Sequence, residues 1–226
     1  MTIHYHGTPI TPVGLLKTLR GRSFCVSYFS PDQIDYCVDI GESVLIDNGA
    51  YTFHTKYGKG WMGTEYLAGY RAFAKKYSLG PNWCLIPDVI DGTELENDRL
   101  IEEYGQLLPN SYPVWHVSES IERLVRLSKN FSKVCFGSSG AYFNLNTDKW
   151  VSKVEQAFDA VCDKSGRCSV WVHMLRGMNL SKKSAFPFCS VDSTDIARNH
   201  SRNKLSPGVM AEFWGGNNNS LLWRPK

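Results

Sequence analysis

The stretch Lys133–Met174, KVCFGSSGAYFNLNTDKWVSKVEQAFDAVCDKSGRCSVWVHM, holds the pattern on which the chain is built. It opens with a short run of strand-type residues, Lys133–Phe136. A turn of glycine and serine follows, Gly137-Ser138-Ser139-Gly140. The spacing then predicts a helix over Thr147–Asp163, because Trp150, Val154, Ala157, Phe158 and Val161 recur as one apolar stripe. Thr147 or Asp148 suits its N-cap, and Gly166 follows its end, where chain reversal is common. A second apolar run, Ser169–Met174, closes the stretch.

The same alternation extends in both directions. Runs rich in Val, Ile, Phe, Tyr and Trp occupy Thr2–His6, Ser23–Phe29, Ser43–Asp47, Trp83–Pro87 and Tyr112–Val117, with Phe186–Val191 beyond. Helices are predicted between them at Thr11–Arg20 (opened by Thr11-Pro12), Thr64–Tyr77, Thr93–Leu108 and Ser120–Asn130. Eight runs alternating with helices call for a parallel sheet. Eight is also the number that closes a (β/α)8 TIM-type barrel, and 226 residues fit one such domain near its lower size limit. An open doubly wound parallel sheet fits the same count. No linker, repeat or low-complexity stretch divides residues 1-226. The tail from about 198-226, with Arg198–Lys204 and then Trp214–Asn219, reads as a long loop and a terminal arm.

Composition narrows the function classes. The chain is 42% hydrophobic and 21% charged, ordinary for a globular domain. A net charge of +3 and pI of 8.4 permit a polyanionic partner, without the stronger basic footprint, roughly pI above 9, of a dedicated nucleic-acid binder. No apolar run approaches the ~20 residues of a membrane span. Met1–His6 has neither the basic nor the apolar part of a secretory signal, so a cytoplasmic protein without membrane contact is expected. The seven cysteines are scattered and form no C-x2-C pair, which predicts buried reduced thiols rather than a zinc site.

Polar and glycine residues follow the apolar runs. Asp47-Asn48-Gly49-Ala50-Tyr51 follows the third, and Asp88 and Asp91 the fourth. His116 and Glu119 follow the fifth, Gly137–Gly140 the sixth, His173 and Arg176-Gly177 the seventh, and Asp192–Asp195 the eighth. In a parallel α/β fold the carboxyl ends of the strands share one face, where such folds do chemistry. Any one of these aspartates suits a helix N-cap; three at successive strand ends are harder to explain by capping. Gly137–Gly140 matches neither common phosphate-loop pattern, so a plain turn competes with a backbone anion or base-edge site.

These motifs resemble a family. Val44–Tyr51 is similar to the strand–Asp-Ser-Gly-Gly-Tyr/Phe motif of the tRNA-guanine transglycosylases. His173–Met178 resembles their His-Leu-Phe/Leu-Gly-x-Gly segment, and Ser190–Thr194, with Arg198 downstream, their Phe-Asp-Ser/Cys motif with its arginine. Phe136–Gly140 stands where the family has its Gly-Gly base-binding turn, and Val114–Ser118 where it has Val-Gln-Gly. The resemblance covers residues 43–198. That family is a (β/α)8 barrel that exchanges guanine for a 7-deazaguanine in tRNA, and related members modify DNA in bacteria and phages.

The resemblance implies roles. Asp192 is the nucleophile that attacks ribosyl C1′, and Asp47 the general acid/base for the leaving and incoming base. Tyr51 stacks on the base and Asp88 accepts from its edge. Asn48, Gly49, His116, Gly137, Ser138, Ser139, His173, Arg176, Gly177 and Arg198 complete the expected substrate-binding set. The partners implied are a nucleic acid and a free guanine or 7-deazaguanine, in a chain that forms a homodimer, and the chemistry calls for no cofactor.

The sequence also departs from the family. The zinc motif Cys-x-Cys-x2-Cys is absent and the chain is short, which shifts the balance from tRNA toward DNA. Around His116-Val117-Ser118 the family's glutamine is replaced. Asp195, or Cys189 if the motif's phenylalanine is matched to Phe188, competes with Asp192 as nucleophile.

Two other readings stand beside this one. A metal-dependent, amidohydrolase-like barrel would use His4, His6, His116, His173 and Asp192 as ligands. A non-catalytic nucleic-acid-binding barrel would place Lys56, Lys59, Arg198, Arg202, Lys204 and Arg224 on phosphates and stack bases on Tyr51, Phe53, Tyr57 and Trp61.

Overall fold

The computed structural model describes residues 2–58, 63–180, 186–215 and 221–224. Lys59 and Trp61 lie outside these residues. Among the described residues nine parallel strands form one sheet: β1 (Ile3–Gly7), β2 (Ser23–Ser27), β3 (Val44–Asp47), β4 (Trp83–Leu85), β5 (Ser111–Tyr112), β6 (Val114–His116), β7 (Lys133–Gly137), β8 (Trp171–Met174) and β9 (Ser190–Ser193). Their order is β5-β4-β3-β2-β1-β9-β8-β7-β6.

The two ends of that order are one piece of chain. β5 pairs with β4 and β6 pairs with β7, and only Pro113 separates β5 from β6. Proline has no N–H for a ladder, so it breaks the strand. Its carbonyl still accepts from Cys135 N at 3.0 Å. Residues 111–116 therefore join both edges, and the sheet closes as a barrel of eight staves. The open-sheet arrangement is set aside.

Strand alternation sorts the side chains into layers. One face carries Phe24, Val26, Val44, Ile46, Val134, Phe136, Val172 and Val191 into the main core beneath the helices. The other puts Tyr5, Cys25, Leu45, Leu85, Val114 and Cys135 inside the barrel. Two residues further along each strand the same inward face reaches the carboxyl end. There it presents Gly7, Ser27, Asp47, His116, Gly137 and Asp192, which line a cavity.

The outer layer contains α1 (Ile34–Ile40), α2 (Ala50–Tyr57), α3 (Thr64–Tyr77), α4 (Glu94–Tyr104), α5 (Ile121–Asn130), α6 (Asp148–Val161), α7 (Asp195–Asn203) and α8 (Pro207–Gly215). The predicted cap of α6 holds, since Thr147 Oγ1 accepts from Trp150 N, and at α5 Ser120 Oγ likewise accepts from Arg123 N. On α6, Trp150, Val154, Ala157, Phe158 and Val161 are all buried. No helix among the described residues is long and apolar enough to cross a membrane.

Several expectations need correction. The tail is helical where a loop and arm were expected. Ile196 and His200 of α7 and Met210, Ala211 and Trp214 of α8 are buried, and Trp223 Nε1 donates to Asp159 at 2.6 Å. The first predicted helix is a 3-10 helix over Val13–Leu19. The eighth strand lies at Ser190–Ser193, while Phe186 and Phe188 pack against Phe158. Finally, Cys162 and Cys168 are joined as a disulfide, so not every cysteine is a free thiol.

Candidate active site

A cavity of about 530 Å³ opens at the carboxyl ends of the strands. Three carboxylates line it: Asp47, Asp88 and Asp192.

Asp47 ends β3. Its Oδ1 accepts from Gly49 N at 2.5 Å and Ser27 Oγ at 3.2 Å. Gly49 makes this turn with φ of +80°, where a side chain would also strike the Tyr66 hydroxyl. Burial raises the Asp47 carboxyl to about 6, and the charges of Asp192 and Asp88 push the same way against its two donors. It therefore gains and loses a proton close to neutral pH.

Asp88 follows β4 with both oxygens engaged. Oδ1 accepts from Asn48 Nδ2 at 2.7 Å, and Oδ2 lies 3.0 Å from His116 Nε2. Asn48 also donates to Ile86 O and accepts from Ala50 N, so it ties the end of β3 to that of β4. Burial opposes charge on His116, but the hydrogen bond and charge of Asp88, with the charge of Glu119, outweigh it and raise the imidazole. Glu119 is itself anchored by Arg123, fully buried, whose Nη1 donates at 2.6 Å. His116 Nδ1 is buried and has no hydrogen-bond partner. It lies 3.1 Å from where a side chain at Gly137 would begin, so the bare glycine keeps this edge of the ring open.

Asp192 is on β9. Its Oδ1 accepts from Arg176 N at 2.9 Å and lies 3.3 Å from His173 Nε2. The Arg176 guanidinium donates to Ser138 O at 2.6 Å. It also lies over the rings of Tyr51 and Phe143, 5.0 and 4.5 Å from their centroids. Ser139 Oγ donates to Asp91 at 2.7 Å and Ser138 Oγ accepts from Trp150 Nε1 at 2.9 Å, so much of the Gly137–Gly140 turn serves structure.

Of the residues predicted for the site, Asp47, Asn48, Tyr51, Asp88, His116, Gly137, Ser138, Ser139, Arg176, Asp192 and Arg198 line the cavity together. Gly49, His173 and Gly177 do not line it. The rival nucleophiles are elsewhere. Both oxygens of Asp195 are taken by Asn199 and Trp214, and Cys189 precedes β9 at the other end of the barrel. Sequence reasoning missed Ser27, Phe143 and Thr8. A hydroxyl two residues beyond an inward cysteine was a usable signal for Ser27; Phe143 gave none.

The residues of the metal reading are split between the two faces of the sheet. Tyr5 points into the barrel and meets His173 edge-on at 5.7 Å between ring centroids, so His4 and His6 project from the opposite face of β1. Burial, with His4 and Arg22 nearby, lowers His6 to about 3. Among the described residues no group of three or more His, Cys, Asp or Glu is gathered for a metal ion. Of the basic residues of the binding reading, Lys56 lies over Phe29 and Tyr57, and Arg202, Lys204 and Arg224 are exposed.

No family model matches this chain, and no curated protein does. Solved structures do. A mutant tryptophan synthase α-subunit from the hyperthermophile Pyrococcus furiosus superposes with a TM-score of 0.52 and 10% identity, over 97% of this chain and 96% of its own. This chain has the α/β barrel fold. An aminoacrylate-bound tryptophan synthase from M. tuberculosis reaches a TM-score of 0.49 at 12% identity, over 93% and 88%. At such identities the likeness concerns the fold alone.

Proposed function

We propose that this barrel is a transglycosylase of the tRNA-guanine transglycosylase type, exchanging guanine for a 7-deazaguanine in a nucleic acid through a covalent Asp192–glycosyl intermediate. One observation carries the reading: Asp47 and Asp192 line one cavity in different surroundings. Asp47 is raised to about 6 by burial, while Asp192 has one oxygen held by N–H donors. Two carboxylates set apart by environment divide the work of proton transfer and nucleophilic attack.

In this mechanism Asp192 attacks C1′, the N-glycosidic bond breaks, and Asp47 delivers a proton to the departing base. The incoming base then gives its proton to Asp47 and attacks C1′, and the Asp192 ester bond breaks. Tyr51 and Phe143 supply aromatic faces at the mouth, and an extruded base needs such a stack. Asp88 and the unpartnered His116 Nδ1 offer hydrogen-bonding groups to its edge. Arg198 lies on the rim, where a phosphate would pass. The missing zinc motif favours DNA over tRNA.

The test is base exchange. Purified protein is incubated with radiolabelled guanine and either tRNA or double-stranded DNA, with 7-deazaguanines as competitors. Label entering one polymer, and absent with Asp192→Asn, is the expected result. No incorporation or displacement with any base in either polymer would overturn the proposal.

A further inference from the structure

His173 does not reach the cavity, yet it touches a residue that does. Its ring is fully buried on β8, with Nε2 3.3 Å from Asp192 Oδ1 and Nδ1 2.8 Å from Ser190 Oγ. Ser190 Oγ also lies 3.0 Å from Trp171 Nε1. An indole N–H can only donate, so Ser190 accepts there and its own proton is free for Nδ1. With Nδ1 accepting, a neutral imidazole carries its proton on Nε2, facing the carboxylate. The other neutral tautomer would set the Nε2 lone pair against Asp192 Oδ1. The doubly protonated ring is opposed by burial and by the charge of Lys133, against the pull of Asp192. The remaining groups facing the ring are Tyr5 and Trp83, both edge-on, and Cys135 on the paired strand.

We infer that His173 is a positioning residue. Trp171, Ser190 and His173 form a directed chain of hydrogen bonds from the amino end of the barrel that fixes the Nε2–H tautomer. Together with Arg176 N this clamps Asp192 Oδ1 and leaves Oδ2 to face the cavity. The role in turnover rests on the reading of Asp192 as nucleophile; the tautomer does not. His173 thereby leaves the substrate-binding set and Ser190 joins the machinery behind the nucleophile.

The test has two arms. In protein labelled with 15N-histidine and free of nucleic acid, the His173 ring signals, assigned with His173→Gln, should show the neutral Nε2–H tautomer at pH 7 and above. The Nδ1–H form or an imidazolium at pH 7 would overturn the inference, whatever the protein catalyses. In base exchange, Ser190→Ala should lower kcat about tenfold to a hundredfold, the worth of a hydrogen bond to a charged group, with KM for the free base within about twofold. Glutamine offers an N–H to Asp192 without a tautomer to fix. In a His173→Gln background Ser190→Ala should therefore change kcat less than about twofold. An equal loss in both backgrounds would mean that Ser190 acts on packing alone, and would overturn the positioning role. If the wild type exchanges no base, the functional reading fails, and the spectrum still decides the tautomer.

Discussion

His116 and His173 are both buried beside an aspartate, 3.0 Å from Asp88 and 3.3 Å from Asp192, yet their imidazoles are driven in opposite directions. His116 is raised and His173 is lowered. Burial works against charge at both. The difference lies in the neighbours beyond the aspartate, and at His173 the positive charge of Lys133 adds to the opposition. Behind His116 stands Glu119, a carboxylate held by the buried Arg123; behind His173 stands Ser190, a hydroxyl. One aspartate does not offset burial together with the charge of Lys133, and an aspartate with a second carboxylate does offset burial. Protonation is thus favoured at His116, on the cavity wall, and disfavoured at His173, behind the proposed nucleophile.

The largest effect is expected from the two aspartates themselves. Asp192→Asn should reduce exchange by on the order of 10⁴-fold or more, as loss of a covalent nucleophile does. Asp88→Asn should chiefly raise KM for the base, and steady-state kinetics separates the two. Next comes Glu119→Ala, which strips the buried Arg123 of a partner. A broken buried ion pair costs about 3–5 kcal/mol, so the thermal midpoint should fall by roughly 10 °C, and NMR should show the His116 ring shifting downward.

Asp47 gives a smaller effect of the opposite sign. Its folded value of about 6 lies above its ordinary 3.8, so its burial costs stability as pH rises through that window. Asp47→Asn should stabilise the protein by up to about 3 kcal/mol at pH 8 and far less at pH 4, read by denaturant titration. Smallest is the divergence of the histidines. The raised His116 contributes most below 6.5 and loses its contribution as pH rises through its folded value. The lowered His173 contributes above 6.5 and loses its contribution as pH falls toward its folded value. The cost of His116→Phe should therefore grow as pH falls from 8 to 5.5, and that of His173→Phe should shrink, read by denaturant titration at the two pH values.

The barrel was legible because each stave is a short apolar run ending in a polar residue, and period-two alternation carries that residue onto the reactive face. Asp47, His116, Gly137 and Asp192 could be found in this way. The last strand was misplaced because Phe186 and Phe188 are as apolar as a strand but fill the outer layer against Phe158. The tail was missed because α7 buries little more than Ile196 and His200, whose ring nitrogens lie 2.9 and 3.1 Å from Ile196 O and Thr11 O. No apolar stripe announces such a helix. Ser190 and Trp171 act through β8–β9 register, which sequence spacing does not reveal. For the same reason His173 reads in sequence as a binding residue.

In the proposed mechanism Asp192 carries the sugar. The direct measurement is to mix end-labelled DNA or tRNA with the protein, quench in denaturant and resolve on a denaturing gel, with Asp192→Asn, Asp195→Asn and Cys189→Ala alongside. The account predicts a labelled band at the mass of protein plus oligonucleotide, lost in Asp192→Asn and retained in the other two. A band that survives Asp192→Asn, or no band with either polymer, would contradict it.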